Sequence, residues 1–199
     1  MAKNPLHYIV FDIETQKSFK EIDRSKIHLL KVSVVGLYDS ATDTYEAYEE
    51  KDMIKVDEKF RNADALIGFN NIDFDMPVLA PYLFTPVQNL FQIDLLQEIQ
   101  KVRGHRVTLQ SVAEATLKMS KSGDGLGAIE MFKEGRIDEL KKYCLDDVRI
   151  TKEIYEYGVE KKKIFFTSNR DWQTHEVKVD WGSIKPPAKA EAAFPTSLF

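Results

Sequence analysis

The sequence predicts an α/β domain built on a mixed β-sheet flanked by helices, with a C-terminal β-hairpin. Three patterns lead to that expectation. Residues 7–48 hold short β-rich apolar runs around a polar turn, the pattern of strands and an antiparallel hairpin. From residue 52 to 117 helical and strand-like stretches alternate, which predicts parallel crossovers. Ile137 to about Tyr157 then carries Ile137, Leu140, Cys144, Val148 and Tyr155 at helical spacing, ahead of two further β-rich runs. With 199 residues, 43% of them hydrophobic and 11% aromatic, the chain has enough apolar side chain for one domain with a sizeable core.

Element by element, His7–Ile13 reads as a buried central strand, because its apolar run is short and rich in β-formers. Val32–Tyr38 and Thr44–Tyr48 are joined by the polar turn Asp39–Asp43 and pair as a hairpin. Asp52–Asn62 is a helix with Asp52 as its N-cap. Ala65–Phe69 is a strand ended by Asn70 and Asn71, and Phe74–Leu83 is a helix if Pro77 lies in its first turn. Phe91–Ile93 is a short strand, followed by helices from Asp94 to about Val102 and, capped by Thr108, through Leu117. Lys121–Gly125 is a loop, Leu126–Lys133 a helix stopped by Gly135, and Lys163–Thr167 with His175–Trp181 the closing hairpin. Residues 1–181 are thus expected to form the domain. Residues 182–199, rich in Pro, Ala, Lys and Ser, are expected to form a flexible tail.

Three stretches carry the chemistry. In Phe11-Asp12-Ile13-Glu14-Thr15 the two acids are two apart on a strand, so they share one face. Carboxylates so placed repel each other unless solvent or a hard cation intervenes, and Mg²⁺ and Mn²⁺ prefer oxygen ligands. The second stretch, Gly68 to Asp75, leads from a strand into a helix and includes Asn71, Asp73, Phe74 and Asp75. Asp75 or Asp73 there would suit a helix N-terminus. In the third, Tyr143 and Asp147 are four apart and share a helical face, while Asp146 points roughly 100° away toward solvent. Each stretch alone has an ordinary explanation: a solvated acid pair, a helix-end acid, a hydrogen-bonded Tyr–Asp pair.

In combination and in this order, the stretches resemble the three motifs of the DEDD superfamily of 3′–5′ exonucleases, whose fold is ribonuclease H-like. Asp12 and Glu14 are similar to its first motif, Asn71-x-x-Phe74-Asp75 to its second and Tyr143-x-x-x-Asp147 to its third. The histidine of the other branch would fall on Lys142, so Tyr143 aligns the chain with the DEDDy branch. The resemblance spans roughly residues 7–181. It implies an enzyme with two divalent cations, Mg²⁺ or Mn²⁺, held by Asp12, Glu14, Asp75 and Asp147. Asp12, Glu14 and Asp147 would ligate the ion that activates water. Asp12 would bridge to the second, with Asp75 supporting that side. Two such ions clamp the attacking and leaving oxygens of an in-line displacement. A phenol keeps its proton at neutral pH, so Tyr143 is assigned to orienting the water. Thr15 is a candidate for holding the terminal 3′-OH, and Asn71 and Phe74 for positioning terminal nucleotides. Two other readings stay open: an RNA-processing exoribonuclease, and a non-catalytic module that binds nucleic acid.

Charge and tail bear on partners. The net charge of −4 comes from 32 acidic and 28 basic residues. Setting the four proposed ligands aside leaves 28 of each, so global charge does not oppose nucleic acid. Lys101, Arg103, Arg106, Lys118 and Lys121, against Glu114 alone, form a local basic stretch able to track phosphates. The expected partner is the single-stranded 3′ end of a nucleic acid, DNA favoured. A helicase or polymerase is a further expected partner, because a 199-residue proofreader would act in trans. The tail Phe194–Phe199 resembles peptides that dock on bacterial sliding clamps, although it lacks their leading glutamine. A lone cysteine, Cys144, excludes an internal disulfide and a cysteine-based metal cluster. With no apolar run near the roughly 20 residues of a membrane span, the expected location is cytoplasmic.

Overall fold

The strand that carries the first pair of acids lies at the centre of the sheet. The computed structural model describes residues 6–119 and 125–187. In chain order its elements are β1 (Tyr8–Thr15), β2 (Val32–Asp39), β3 (Thr44–Glu49), α1 (Met53–Asn62), β4 (Ala65–Gly68) and the short α2 (Met76–Leu79). There follow β5 (Gln92–Asp94), α3 (Leu95–Arg103), α4 (Leu109–Leu117), α5 (Gly125–Lys133), the long α6 (Ile137–Lys161) and the hairpin strands β6 (Lys163–Thr167) and β7 (Thr174–Lys178). The main sheet runs β3-β2-β1-β4-β5. β2 is antiparallel to β1 and β3, whereas β4 is parallel to β1 and β5 to β4. This is the expected mixed sheet flanked by helices, with the expected hairpin apart from it.

Alternation along β1 decides which layer each side chain meets. Ile9, Phe11 and Ile13 pack against Val56 and Phe60 of α1 and Met76, Val78 and Leu79 of α2 and its flank. On the opposite face Val10 joins Ile99, Val112, Val148, Ile150 and Ile154 from α3, α4 and α6. Asp12 and Glu14 continue the Val10 series, so they emerge beside α6 where apolar packing stops. Gly36 of β2 lies opposite Asp12 in the ladder. A Cβ there would sit 2.9 Å from Cys144 Sγ and 3.1 Å from Val148 Cγ2. The missing side chain is what lets α6 lie so close to the strand.

The hairpin packs Ile164, Phe166 and Val177 into the core around Val10 and is tied to α4 by a hydroxyl, with an indole just beyond it closing the same core. Thr116 Oγ1 donates to the Phe165 carbonyl at 2.7 Å and accepts from the Phe165 N–H at 2.9 Å, linking α4 to β6. Trp181, 1% exposed, stacks on Tyr155 and covers Gly158 of α6.

Several expectations change in detail. Asp52 precedes α1 but gives no side-chain cap; its carboxylate pairs with Lys55 at 2.9 Å instead. The helix expected over Phe74–Leu83 is three pieces: a π-turn over Asn71–Asp75, then α2, then a 3₁₀ turn over Ala80–Tyr82. Pro77 does fall in the first turn of α2. Neither Asp73 nor Asp75 caps it, and Asp73 pairs with Arg106 at 3.3 Å. Thr108 caps α4 as expected, through the Ser111 N–H. Trp181 lies beyond the hairpin, in a 3₁₀ turn over Trp181–Ser183, and Ile184 packs on the core. The loop expected at Lys121–Gly125 lies largely outside the described residues, as do residues 188–199 with the clamp-like peptide.

Filling the space at Gly36 should overpack the β2–α6 contact. Gly36→Ala is expected to lower stability by about 1–3 kcal/mol, read from urea denaturation, whereas an unchanged midpoint would mean α6 yields freely.

Candidate metal centre

Asp12 and Glu14 leave the end of β1 on the α6 side, and Asp147 meets them from α6. One carboxylate oxygen from each of the three lies within 4.8 Å of the others. Glu14 and Asp147 are buried, at 8% and 2% exposure. Two carboxylate charges at such a spacing repel by on the order of 3 kcal/mol at an effective dielectric constant of about 20. A divalent cation removes that repulsion, and an all-oxygen set suits hard ions such as Mg²⁺ or Mn²⁺. Tyr143, one turn before Asp147, lines the same cleft. Asp146 points elsewhere and sits 3.7 Å from Arg149. Cys144 lies behind the acids, its Sγ 3.5 Å from the Asp12 carbonyl. Burial, then the charges of Asp12, Glu14 and Asp147, push its thiol pKa well up.

Asp75 is not part of this three-acid group. It comes from the opposite face of the sheet, 3% exposed, with its carboxyl hydrogen-bonded to the Ile13 main chain between Asp12 and Glu14. Burial raises its pKa, the nearby Asp94 raises it further, and main-chain hydrogen bonds oppose both. Asn71 is fully buried behind the cleft wall, where its Nδ2 donates to Gln92 Oε1 at 3.0 Å. It does not line the cleft, whereas Phe74 and Thr15 do. The Thr15 hydroxyl donates to the Lys17 carbonyl at 2.9 Å.

The cleft over the acids has a volume of about 570 Å³. One wall is a strap between β1 and β2 that residue-level reading of the sequence passed over. It leaves the sheet at a register shift between Glu14 and Thr15. Gln16 N–H donates to Lys31 O at 2.9 Å and Lys17 N–H to Leu30 O at 3.2 Å, which closes its base. Lys17, Phe19, Lys20 and Arg24 of the strap all line the cleft. The Phe19 ring lies 5.9 Å from that of Phe74, with the Arg24 guanidinium 5.5 Å from its centroid. The signal was available: three cations and an aromatic follow the first acid pair within ten residues. The basic stretch singled out instead, around Lys101–Lys118, is partly spent on the protein. Lys101 pairs with Glu98, Arg106 with Asp73, and Arg103 lies over Phe166.

The sequence profile of the RNase H superfamily matches residues 9–159, from β1 almost to the end of α6. No curated protein matches the sequence. Among solved structures, the chain is similar to the family B DNA polymerase from the hyperthermophilic archaeon Pyrobaculum calidifontis, with a TM-score of 0.60 and 21% identity. The match covers 78% of this chain but 25% of the polymerase chain, and it speaks for the fold.

If the three acids hold a cation, Mn²⁺ at about 100 times its Kd should stabilise the folded protein by about 2.7 kcal/mol. Thermal unfolding with Mn²⁺ against chelator reads this directly. Asp12→Asn is expected to abolish the difference, and its persistence in that variant would place the ion elsewhere.

Proposed function

Because the chain belongs to the RNase H superfamily, we propose that it is a DEDDy-type 3′–5′ exonuclease that hydrolyses terminal phosphodiester bonds of nucleic acid, with DNA favoured. The observation that carries the reading is the meeting of Asp12, Glu14 and Asp147 beside Tyr143 in one cleft. Asp75, bonded to the main chain between the first two acids, is the fourth acid of the proposal. The direction of attack rests on the motif set, Asp12-x-Glu14, Asn71-x-x-Phe74-Asp75 and Tyr143-x-x-x-Asp147.

Two bound Mg²⁺ or Mn²⁺ ions would supply charge neutralisation and acidify the attacking water. The remaining work falls to the chain. Asp12, Glu14 and Asp147 would hold one ion, and Asp12, with Asp75 in support, would hold the other. Tyr143 orients the attacking water by hydrogen bond. Thr15 spends its proton on the Lys17 carbonyl, so its oxygen is left to accept from the terminal 3′-OH. Phe74, with Phe19 beside it, offers an aromatic face to an unpaired base, which is sequence-tolerant because every base has such a face. Lys17, Lys20 and Arg24 meet phosphates. Asn71, off the cleft, ties the turn that carries Phe74 and Asp75 to Gln92 of β5. A single-stranded end suits this cleft best, because its unstacked terminal bases leave their faces open to the Phe74 ring.

A single-stranded oligonucleotide labelled at its 5′ end, incubated with Mg²⁺ or Mn²⁺, should shorten stepwise, and chelator should stop it. Asp12→Ala is expected to keep the fold and lose activity by at least about 100-fold, since even outer partners of a metal ligand cost 10–100-fold. Tyr143→Phe should lower kcat with little change in KM. Full activity in Asp12→Ala, or release from the 5′ end, removes the reading.

A further inference from the structure

We infer that Asp94, at the end of β5, is a positioning residue that fixes the second acid motif and thereby the side of the metal centre supported by Asp75. The inference rests on the proposed two-ion exonuclease site for its metal-binding and kinetic consequences; its structural part stands on the hydrogen bonds alone.

Asp94 is 2% exposed and its carboxylate serves two elements at once. Oδ1 accepts from Leu96 N–H at 3.0 Å and Gln97 N–H at 3.2 Å, capping α3. The same oxygen accepts from Asn70 N–H at 2.9 Å, and Oδ2 accepts from Ile72 N–H at 3.1 Å. A cap alone needs only the first pair. The second pair reaches across to the turn that delivers Asp75.

That turn closes through Phe74 N–H to Asn70 O and Met76 N–H to Asn71 O, and draws further support from β5. Asn70 has φ +74°, a left-handed conformation that asparagine tolerates at some cost. Asn71–Asp75 is a π-turn, an uncommon form seldom stable without outside help. The first N–H groups of any helix lack partners within it, and here two of the N–H groups at this entry are satisfied by Asp94. Gln92, two residues earlier and so on the same face of β5, accepts from Asn71 Nδ2. Arg106 adds a bond to the Asn70 side chain. β5 thus grips the turn from below at three points, and the turn leads without interruption to Asp75.

The two oxygens allow the roles to be separated. In Asp94→Asn the retained Oδ1 still caps α3 and accepts from Asn70, but an NH₂ group faces the Ile72 N–H, donor against donor. Mn²⁺ binding, counted by electron paramagnetic resonance on the full chain, reads the site without any turnover. The parent is expected to bind two ions. Asp94→Asn should weaken one of them by about 10–100-fold, as outer partners of metal ligands do, and leave the other unchanged. Asp75→Ala should weaken the same ion, and the double variant should be no worse than Asp75→Ala, because both act on one element. Thr108→Ala, which removes the cap of α4, is the control for lost capping and should leave both ions unchanged. Kinetically, Asp94→Asn should lower kcat at limiting Mn²⁺, with recovery as Mn²⁺ is raised and little change in KM. Unaltered affinity for both ions in Asp94→Asn overturns the inference, as does equal weakening of both or a matching loss in Thr108→Ala. A parent that binds two ions and cuts no nucleic acid, with one of those ions weakened in Asp94→Asn, overturns the exonuclease reading while supporting the role of Asp94.

Discussion

Three carboxylates within 4.8 Å of one another repel, and the fold is arranged to withstand that repulsion. Asp12 and Glu14 are set in the most restrained strand of the sheet, paired on both sides along its first half and buried on both faces. Asp147 is set in a helix of 25 residues whose buried side runs the length of the second core. Neither support can retreat without unpacking apolar side chains worth far more than the repulsion. The close approach depends on Gly36, opposite Asp12, where any larger residue would stand between helix and strand. An ion at this point therefore meets a site already formed, with little reorganisation left to oppose binding.

The proposed second side of the centre is built differently. Asp75 arrives on a left-handed residue and a π-turn rather than on a regular element. Their stability is borrowed from β5, whose short strand contributes more through Gln92 and Asp94 than through its own ladder. The three-acid group is thus held by packing, and Asp75 by polar contacts. Polar contacts that depend on one carboxylate are the easier to disturb.

Much of this was legible in the sequence because period and spacing are geometric. Alternation placed Asp12 and Glu14 on one face, the four-residue spacing placed Tyr143 and Asp147 on another, and the hairpin and the long helix followed from their patterns. What escaped was whatever depends on distant partners. The π-turn has no periodicity of its own, and its cause lies about twenty residues on, in a strand of three residues. Asp94 looked like an ordinary helix start because its cap is local and its second pair of bonds is not. Asn71 was expected to face a substrate and instead faces Gln92, since nothing in a loop sequence tells inward from outward. Lys17, Phe19, Lys20 and Arg24 sit in a segment without pattern, so their convergence on the cleft became visible only once the strap closed over it.

The pinched base of the strap has a consequence for how such a domain can diversify. Two main-chain hydrogen bonds, Gln16 to Lys31 and Lys17 to Leu30, staple its ends together right after the acid pair. Beyond them Ile22 and Ile27 still seat the segment on the core, but lengthening a loop whose ends are already fixed costs little in closure entropy. The exposed positions between those anchors, Lys20, Asp23, Arg24 and Lys26 among them, can therefore change in charge or gain inserted residues while the sheet keeps its shape. The fold thus separates a packed, acid-bearing sheet from a cleft rim that is free to vary.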